Sequence, residues 1–254
     1  MESLTLTALR EVPTVRAGDD LALLVGMALR STGIDLKQGD ILVLAQKIVS
    51  KAEGRFVSLG GIAPSEEAER LARKTGKDAR IVELVLRQSQ EVVRAVPGVL
   101  IVRHRLGMVM ANAGIDASNV ERGEGEDTVL LLPENPDASA ERLRRDLAAR
   151  FGTDVGIIIN DSFGRAWRLG TVGTAIGVSG LPALVDLRGR QDRNGRVLLA
   201  TVVGFADELA AAASLVMGQA SEGRPVIHVR GVASDAAAGH AGDLVRPLEM
   251  DLFR

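Results

Sequence analysis

Short apolar runs, each closed by polar or glycine-containing stretches, recur along the chain. Val155–Ile159 is apolar at every position and rich in isoleucine, which predicts a strand buried on both faces. Ile41–Ala45 has the same character, and Val99–Val102, Met108–Met110, Leu130–Leu132 and Pro225–Val229 read as further strands. Thr5–Leu9 reads as a first strand. Helical spacing appears over Leu21–Arg30, from Ser65 to about Lys74, over Ala79–Gln88, and in the alanine-rich stretch Ala206–Met217. Asp137-Ala138-Ser139 predicts the cap of another helix, with Leu143, Leu147 and Phe151 on one stripe and Gly152 as its stop. Asn194-Gly195 predicts a hairpin turn leading into a strand over Val197–Val203. Glu121–Asp127 reads as a surface loop, and the polar tail from Gly231 to Arg254 as peripheral. Periodicity alone therefore yields an α/β-type mixture.

The 254 residues allow one large domain or two intimate subdomains. A net charge of −2 gives no general nucleic-acid or membrane surface. No apolar run approaches the roughly 20 residues of a membrane span. The N-terminus lacks a basic-then-apolar leader pattern, so a cytoplasmic location is expected. Without cysteine, disulfides and thiolate metal sites are excluded. With one Trp and no Tyr, the core must be aliphatic.

The candidate chemistry centres on Val155–Thr174. Its apolar run is followed by Asn160-Asp161-Ser162, then by Gly164, Gly170 and Gly173 with Arg165, Trp167 and Arg168 among them. A carboxylate and a hydroxyl delivered to a Gly- and Arg-rich loop suit a metal-phosphate site. A turn in which Asp161 caps its own backbone is the competing reading. Asp116 likewise lies just past a strand, among small residues that let a ligand approach the backbone. If Asp116 and Asp161 converge, they make a hard oxygen site for Mg²⁺ or Mn²⁺. Lys51, beside Ser50 and near Gly54, is either a phosphate contact or a solvated surface lysine. Arg188, Arg190, Arg193 and Arg196 form either an anion site or a loop paired with nearby acids. His104, His228 and His240 show no zinc spacing. No Walker A loop and no G-x-S-x-G elbow is present.

Six ordered blocks carry a resemblance. They are KIVSKAEGR (Lys47–Arg55), NAGIDASNV (Asn112–Val120), LLLPENPDASAERLR (Leu130–Arg144), IIINDSFGRAWRLGTVGTAIGVSG (Ile157–Gly180), GRQDRNGR (Gly189–Arg196) and ADELAAAASLVMGQASEGRPVIHVRG (Ala206–Gly231). Through them the chain resembles the coenzyme F420-0:L-glutamate ligases, also called F420-0:γ-glutamyl ligases. The resemblance implies an α+β fold particular to that family, with mixed sheets and helices, two intimate subdomains and a dimer whose active site lies near the subunit contact. It implies one catalytic unit over 1–254, with the motifs over about 12–231, and no fused flavin-binding domain. It implies GTP-dependent addition of L-glutamate, first and further γ-linked, to coenzyme F420-0 through an acyl phosphate, releasing GDP and phosphate. Asp116, Asp161, Ser162 and Gln219 are the implied metal ligands for Mg²⁺ or Mn²⁺, with K⁺ as a further candidate ion. Val12, Pro13, Thr14, Val15, Gln46, Lys51, Asn119 and the loop Met217, Gly218, Gln219, Ala220, Ser221, Glu222 and Gly223 are the implied GTP contacts. Asp116, Asp161, Arg165 and Arg168 are the expected catalytic residues. Arg165 and Arg168, with the arginines of 188–196, are candidates for the acidic groups of the substrate. No nucleic-acid or membrane partner is expected.

Overall fold

A computed structural model of the chain describes residues 3–116 and 127–251. β1 (Thr5–Ala8) leads to α1 (Leu21–Thr32), whose first turn is capped by the Asp20 side chain accepting from the Leu23 N–H. β2 (Ile41–Ala45) runs directly into α2 (Gln46–Ala52), with no loop between them. β3 (Phe56–Ser58) precedes α3 (Glu66–Thr75) and α4 (Ala79–Arg87), capped by Ser65 and Asp78. β4 (Ser89–Val96), β5 (Val99–His104), β6 (Val109–Ala111) and β7 (Thr128–Leu130) follow. Then come α5 (Pro136–Phe151), β8 (Gly156–Arg165), β9 (Arg168–Ser179), β10 (Val185–Asp186), β11 (Val202–Val203), α6 (Phe205–Met217) and β12 (Val226–Arg230). The architecture is mixed α+β.

The main sheet has the order β1-β12-β2-β8-β9, with β2 and β8 parallel and the other pairs antiparallel. Successive strand residues face opposite ways. Leu42, Leu44, Ile157 and Ile159 therefore pack on one side with α1, α2 and α5. Ile41, Val43 and Ile158 pack on the other with α6. A strand covered on both faces needs an apolar residue at every position, which is why β2 and the first half of β8 are unbroken apolar runs. Each fully buried Leu or Ile contributes about 1.5–3 kcal/mol. A second sheet, β4-β5-β6, builds its own core from Leu100 and Val102 against Leu71 of α3 and Val82 and Val85 of α4.

Several expectations change. The strand expected to stop at Ile159 continues to Arg165, because β9 supplies a ladder partner through the polar and glycine residues. Asp161 and Ser162 thus sit inside a β-ribbon rather than in a loop. β4 was not expected; its SQEVVRAV sequence alternates poorly, and β5 pairs with it across two irregular steps. The turn at Asn194-Gly195 forms, with Gly195 N–H donating to Asp192 O at 3.0 Å, but only Val202–Val203 of the expected strand is a strand. α5 starts earlier than expected, with Asn135 as its cap and Pro136 at its first turn. This frees the Asp137 carboxylate to accept from Val178 N–H and Ala241 N–H at 2.8 and 2.9 Å. The tail is not peripheral throughout, since Ala241 is buried against the α6 side of the sheet. No helix among the described residues is long and apolar enough to cross a membrane.

Candidate active site

Strand direction gathers the candidate residues at one edge of the main sheet. Ala8 of β1 lies opposite Ile227, Leu44 opposite Val226, and Ala45 beside Asn160. The carboxyl ends of β1 and β2, the middle of β8 and the amino end of β12 therefore meet. Open sheets commonly bind ligands at the carboxyl ends of their strands. Val12–Val15 leaves β1 here, and Gly18 N–H donates to Ala52 O at 2.9 Å, tying the segment to α2. The 218–223 stretch enters β12 here, and Ala45 N–H donates to Pro225 O at 2.8 Å.

α2 presents two faces to this edge. Gln46 and Ser50 are buried, and the Ser50 hydroxyl donates to Gln46 Oε1 at 2.9 Å. Lys47 and Lys51, also four residues apart, share the other face. Lys47 Nζ lies 2.5 Å from Asp116 Oδ2. Asp116 is held in place by its backbone, which exchanges bonds of 2.9 and 2.8 Å with Leu130.

Asp161 feels the same two charges. Burial, first, pushes its carboxyl up to about 7, and repulsion from Asp116 adds to the rise. The Ser162 N–H, 2.8 Å from Asp161 Oδ1, and the Lys47 ammonium oppose it. By exposed surface the residue is half-buried. Two acids from segments 45 positions apart thus share one low-dielectric environment, and a cation would relieve their repulsion. Among the described residues no group of three or more His, Asp or Glu side chains forms a metal cage. A cation between Asp116 and Asp161 would complete its shell with phosphate or water oxygens, as Mg²⁺ commonly does.

The pleat separates Ser162 from Asp161. Asp161 lies opposite Thr174, and Ser162 opposite Gly173. Asn160 and Gly173 face α6, where Asn160 Nδ2 donates to Ser214 Oγ at 3.0 Å. The Ser162 side chain shares that face, and Asp161 has the opposite one.

Residues 10–231 match the F420-0:Gamma-glutamyl ligase family. The chain is 46% identical to the coenzyme F420:L-glutamate ligase of Methanothermobacter thermautotrophicus over 253 residues, 99% of both chains. It is 47% identical to that of Methanopyrus kandleri, covering 94% of this chain and 93% of the relative. With the Methanocaldococcus jannaschii protein the figures are 42%, 96% and 94%. This chain belongs to the F420-0:γ-glutamyl ligase family.

The expected nucleotide contacts of this family member lie differently. Of Val12–Val15, Val15 is buried and Val12 packs on the core, while Thr14 is exposed. Gln219–Gly223 is an exposed turn after α6. There Glu222 Oε2 accepts from Ala220 N–H at 2.8 Å and folds over Gly218. Gly218 has φ +78° and ψ 174°, a backbone conformation that glycine adopts without strain and L side chains rarely do. Asn119 lies outside the described residues.

The expected arginines divide. Arg188 pairs with Asp186 and Arg190 with Asp235, so for these two the reading of a loop paired with acids describes the fold. Arg165 and Arg168 flank the turn of the β8–β9 hairpin, and the Arg165 guanidinium donates to Leu169 O at 3.1 Å. Sequence reading missed Lys47, although its spacing from Lys51 in KIVSK was a usable hint. It also missed a cleft of about 1140 Å³ between the β4-β5-β6 sheet, the β8–β9 hairpin and residues 241–251. Arg94, Arg103, Arg105, Arg165 and Arg246 line it. Phe163, two positions past Asp161, and Thr174, its register partner, belong to its wall.

Proposed function

We propose that this chain is a GTP-dependent ligase that adds L-glutamate, first and further γ-linked, to coenzyme F420-0. The observation that carries the reading is the meeting of Asp116, Asp161 and Lys47 at the sheet edge from which every described candidate nucleotide contact departs. The names of the relatives support the substrates.

The reaction needs two transfers. An acceptor carboxylate oxygen attacks the γ-phosphorus of GTP, the bond to the β-phosphate oxygen breaks, and GDP leaves. The amine of L-glutamate then attacks the acyl carbon, the C–N bond forms, and phosphate departs with loss of the amine proton. Asp116 and Asp161 would hold a divalent ion, Mg²⁺ or Mn²⁺, which would neutralise charge on the phosphoryl oxygens. Lys51 contacts a GTP phosphate from the half-buried face of α2 that it shares with Lys47. Lys47 steers Asp116 and screens its charge from Asp161. Thr14 and the backbone of 218–223 bound the nucleotide from either side. Gln219 and K⁺ play supporting parts, and Ser162, whose side chain lies on the α6 face, supports Asp161 through its backbone N–H rather than its hydroxyl.

The working unit is a cytoplasmic homodimer of chains that each comprise two intimate subdomains. Trp167 and Leu169 stand 89% and 99% exposed on the β8–β9 hairpin, an unfavourable arrangement that a second copy would relieve. The test is GTP hydrolysis with and without L-glutamate and F420-0, with mass spectrometry of the product. Glutamate-dependent turnover on F420-0 is expected. Turnover only with another acidic acceptor would make the chain a different amide ligase, and nucleotide binding without turnover would make it a regulatory binder.

A further inference from the structure

Arginines reach the large cleft from three separate parts of the chain. Arg94 comes from β4, Arg165 from the hairpin and Arg246 from the C-terminal segment. None of these three has a carboxylate within ion-pair distance among the described residues; Arg165 and Arg246 donate only to the backbone oxygens of Leu169 and Met250. Arg103 lies 3.4 Å from Glu91, and Arg105 is held by Gln88 and Glu134. The acids on the wall are Asp207 and Asp251. Asp207 already accepts from Ala175 N–H at 2.9 Å. Glu91 and Glu134 offset Arg103 and Arg105, which leaves Arg94, Arg165 and Arg246 against Asp207 and Asp251, a positive excess in a chain of net charge −2. Phe163 and Met108 add apolar surface beside them. The occupant must combine apolar bulk with several acidic groups.

The C-terminal segment is a built wall. Gly239 N–H donates to Leu181 O at 3.0 Å, and Ala241 N–H to Asp137 Oδ1 at 2.9 Å. Val245 packs so closely on the β5–β6 turn that a Cβ at Gly107 would lie 2.9 Å from its Cγ1. Residues 241–251 lie beyond the stretch matched to the family, 10–231.

We propose that this cleft holds the acidic acceptor, that Arg94 and Arg246 contact its phosphate or carboxylate groups, and that segment 241–251 thereby takes part in substrate selection. This rests on the ligase reading above. One end of the cleft adjoins Asp161 through Phe163 and Thr174, so an acceptor lying in it would bring a carboxylate towards the phosphoryl-transfer site. Guanidinium pairs with carboxylate and phosphate are strong and directional, which suits a multiply acidic tail.

The test uses Arg94→Gln, Arg246→Gln and the double variant. Both arginines are exposed, so thermal melting should match wild type. Two probes are titrated: F420-0, followed by deazaflavin fluorescence, and tri-γ-L-glutamate, a tail without the ring system. Each single variant should weaken F420-0 binding about ten-fold and the double about a hundred-fold, with the acceptor KM rising in parallel. GTP affinity and kcat at saturating acceptor should change less than about two-fold. A double variant that binds F420-0 as tightly as wild type overturns the proposal while leaving the ligase reading in place. If F420-0 is not a substrate but wild type binds tri-γ-glutamate and the double variant does not, the cleft assignment stands and the ligase reading falls. Wild-type protein that binds neither probe overturns both.

Discussion

Lys47 and Lys51 repel one another across a turn of α2, an arrangement that favours an anion in front of each. Lys47 has Asp116. If Lys51 has a GTP phosphate, a charge-assisted contact worth about 1.5–3 kcal/mol is at stake, and Lys51→Ala should weaken GTP binding about 10- to 150-fold. Calorimetry that finds the affinity unchanged returns Lys51 to the surface. Asp116 and Asp161 are the sharper case. Asn in place of either keeps the shape but removes a charge from the proposed cation site. Each variant should lose glutamate ligation yet melt as a folded protein, and the double variant should be little worse than either single one. Ser162→Ala, on the opposite face of the ribbon, should do less. Near-normal turnover by either Asn variant, with Mg²⁺ or Mn²⁺ at saturation, would make that carboxylate structural.

The β8–β9 ribbon carries the site, and its contact with α6 keeps it in place. Gly173 is the tightest point of that contact. A Cβ there would meet Ser214 Oγ at 2.1 Å, Ala210 O at 2.5 Å and Asn160 Oδ1 at 2.8 Å. Ser214 can rotate, but the Ala210 carbonyl is helix backbone and cannot. Gly173→Ala should therefore cost about 1–3 kcal/mol through overpacking. Gly164→Ala, in the same ribbon with nothing within 4 Å of the new methyl, serves as the control and should leave stability almost unchanged. Chemical denaturation of both variants checks this, and equal midpoints would mean that α6 yields without cost.

Acid stability belongs to the whole molecule, because proton linkage acts on global unfolding. His104 is fully buried, and its Nδ1 accepts from Leu106 N–H at 3.0 Å. Burial, then the charges of Arg105 and Arg55, push its pKa from 6.5 down to about 4. The unfolded chain takes up this proton first as pH falls. The stabilising contribution is therefore complete above about 6.5 and lost progressively towards 4, amounting to about 2 kcal/mol by pH 5. Asp161, raised to about 7, acts with the opposite sign over the same window. The readout is thus the difference between wild type and His104→Asn, which keeps an acceptor for Leu106. Between pH 7.5 and pH 5 the wild type should lose stability relative to the variant. Asp40 does not blur this window. Its burial raises the carboxyl, but Arg230, His228 and the Lys37 N–H outweigh that and hold it at about 2, so its contribution is lost only below 3.8. His228 Nε2 lies 2.9 Å from Asp40 Oδ2, close enough for an ion pair though off the line of a hydrogen bond. Assembly is the other property of the whole. Light scattering at micromolar concentration should give a particle of two chains, and monomer alone would refute the dimer.

By itself the sequence determined the elements whose causes are local. β2 and the start of β8 are legible because burial on both faces demands an unbroken apolar run. α1 and α3 are legible because Asp20, Ser65, Gly33 and Gly76 are caps that act within a turn. The family blocks were legible too, and with them the identity of Asp116 and Asp161 as the residues to follow. Tertiary structure alone decided the rest. NDSFGR looks like a loop until β9 gives its backbone a partner. SQEVVRAV looks irregular until β5 pairs with it. Asp116 and Asp161 share an environment, Lys47 meets Asp116, and three arginines from distant segments face one cleft, only because the parallel β2–β8 pair and the docked tail bring them there. Caps and apolar runs are written in neighbouring residues, whereas strand pairing and electrostatic neighbours depend on contacts between residues far apart in the chain.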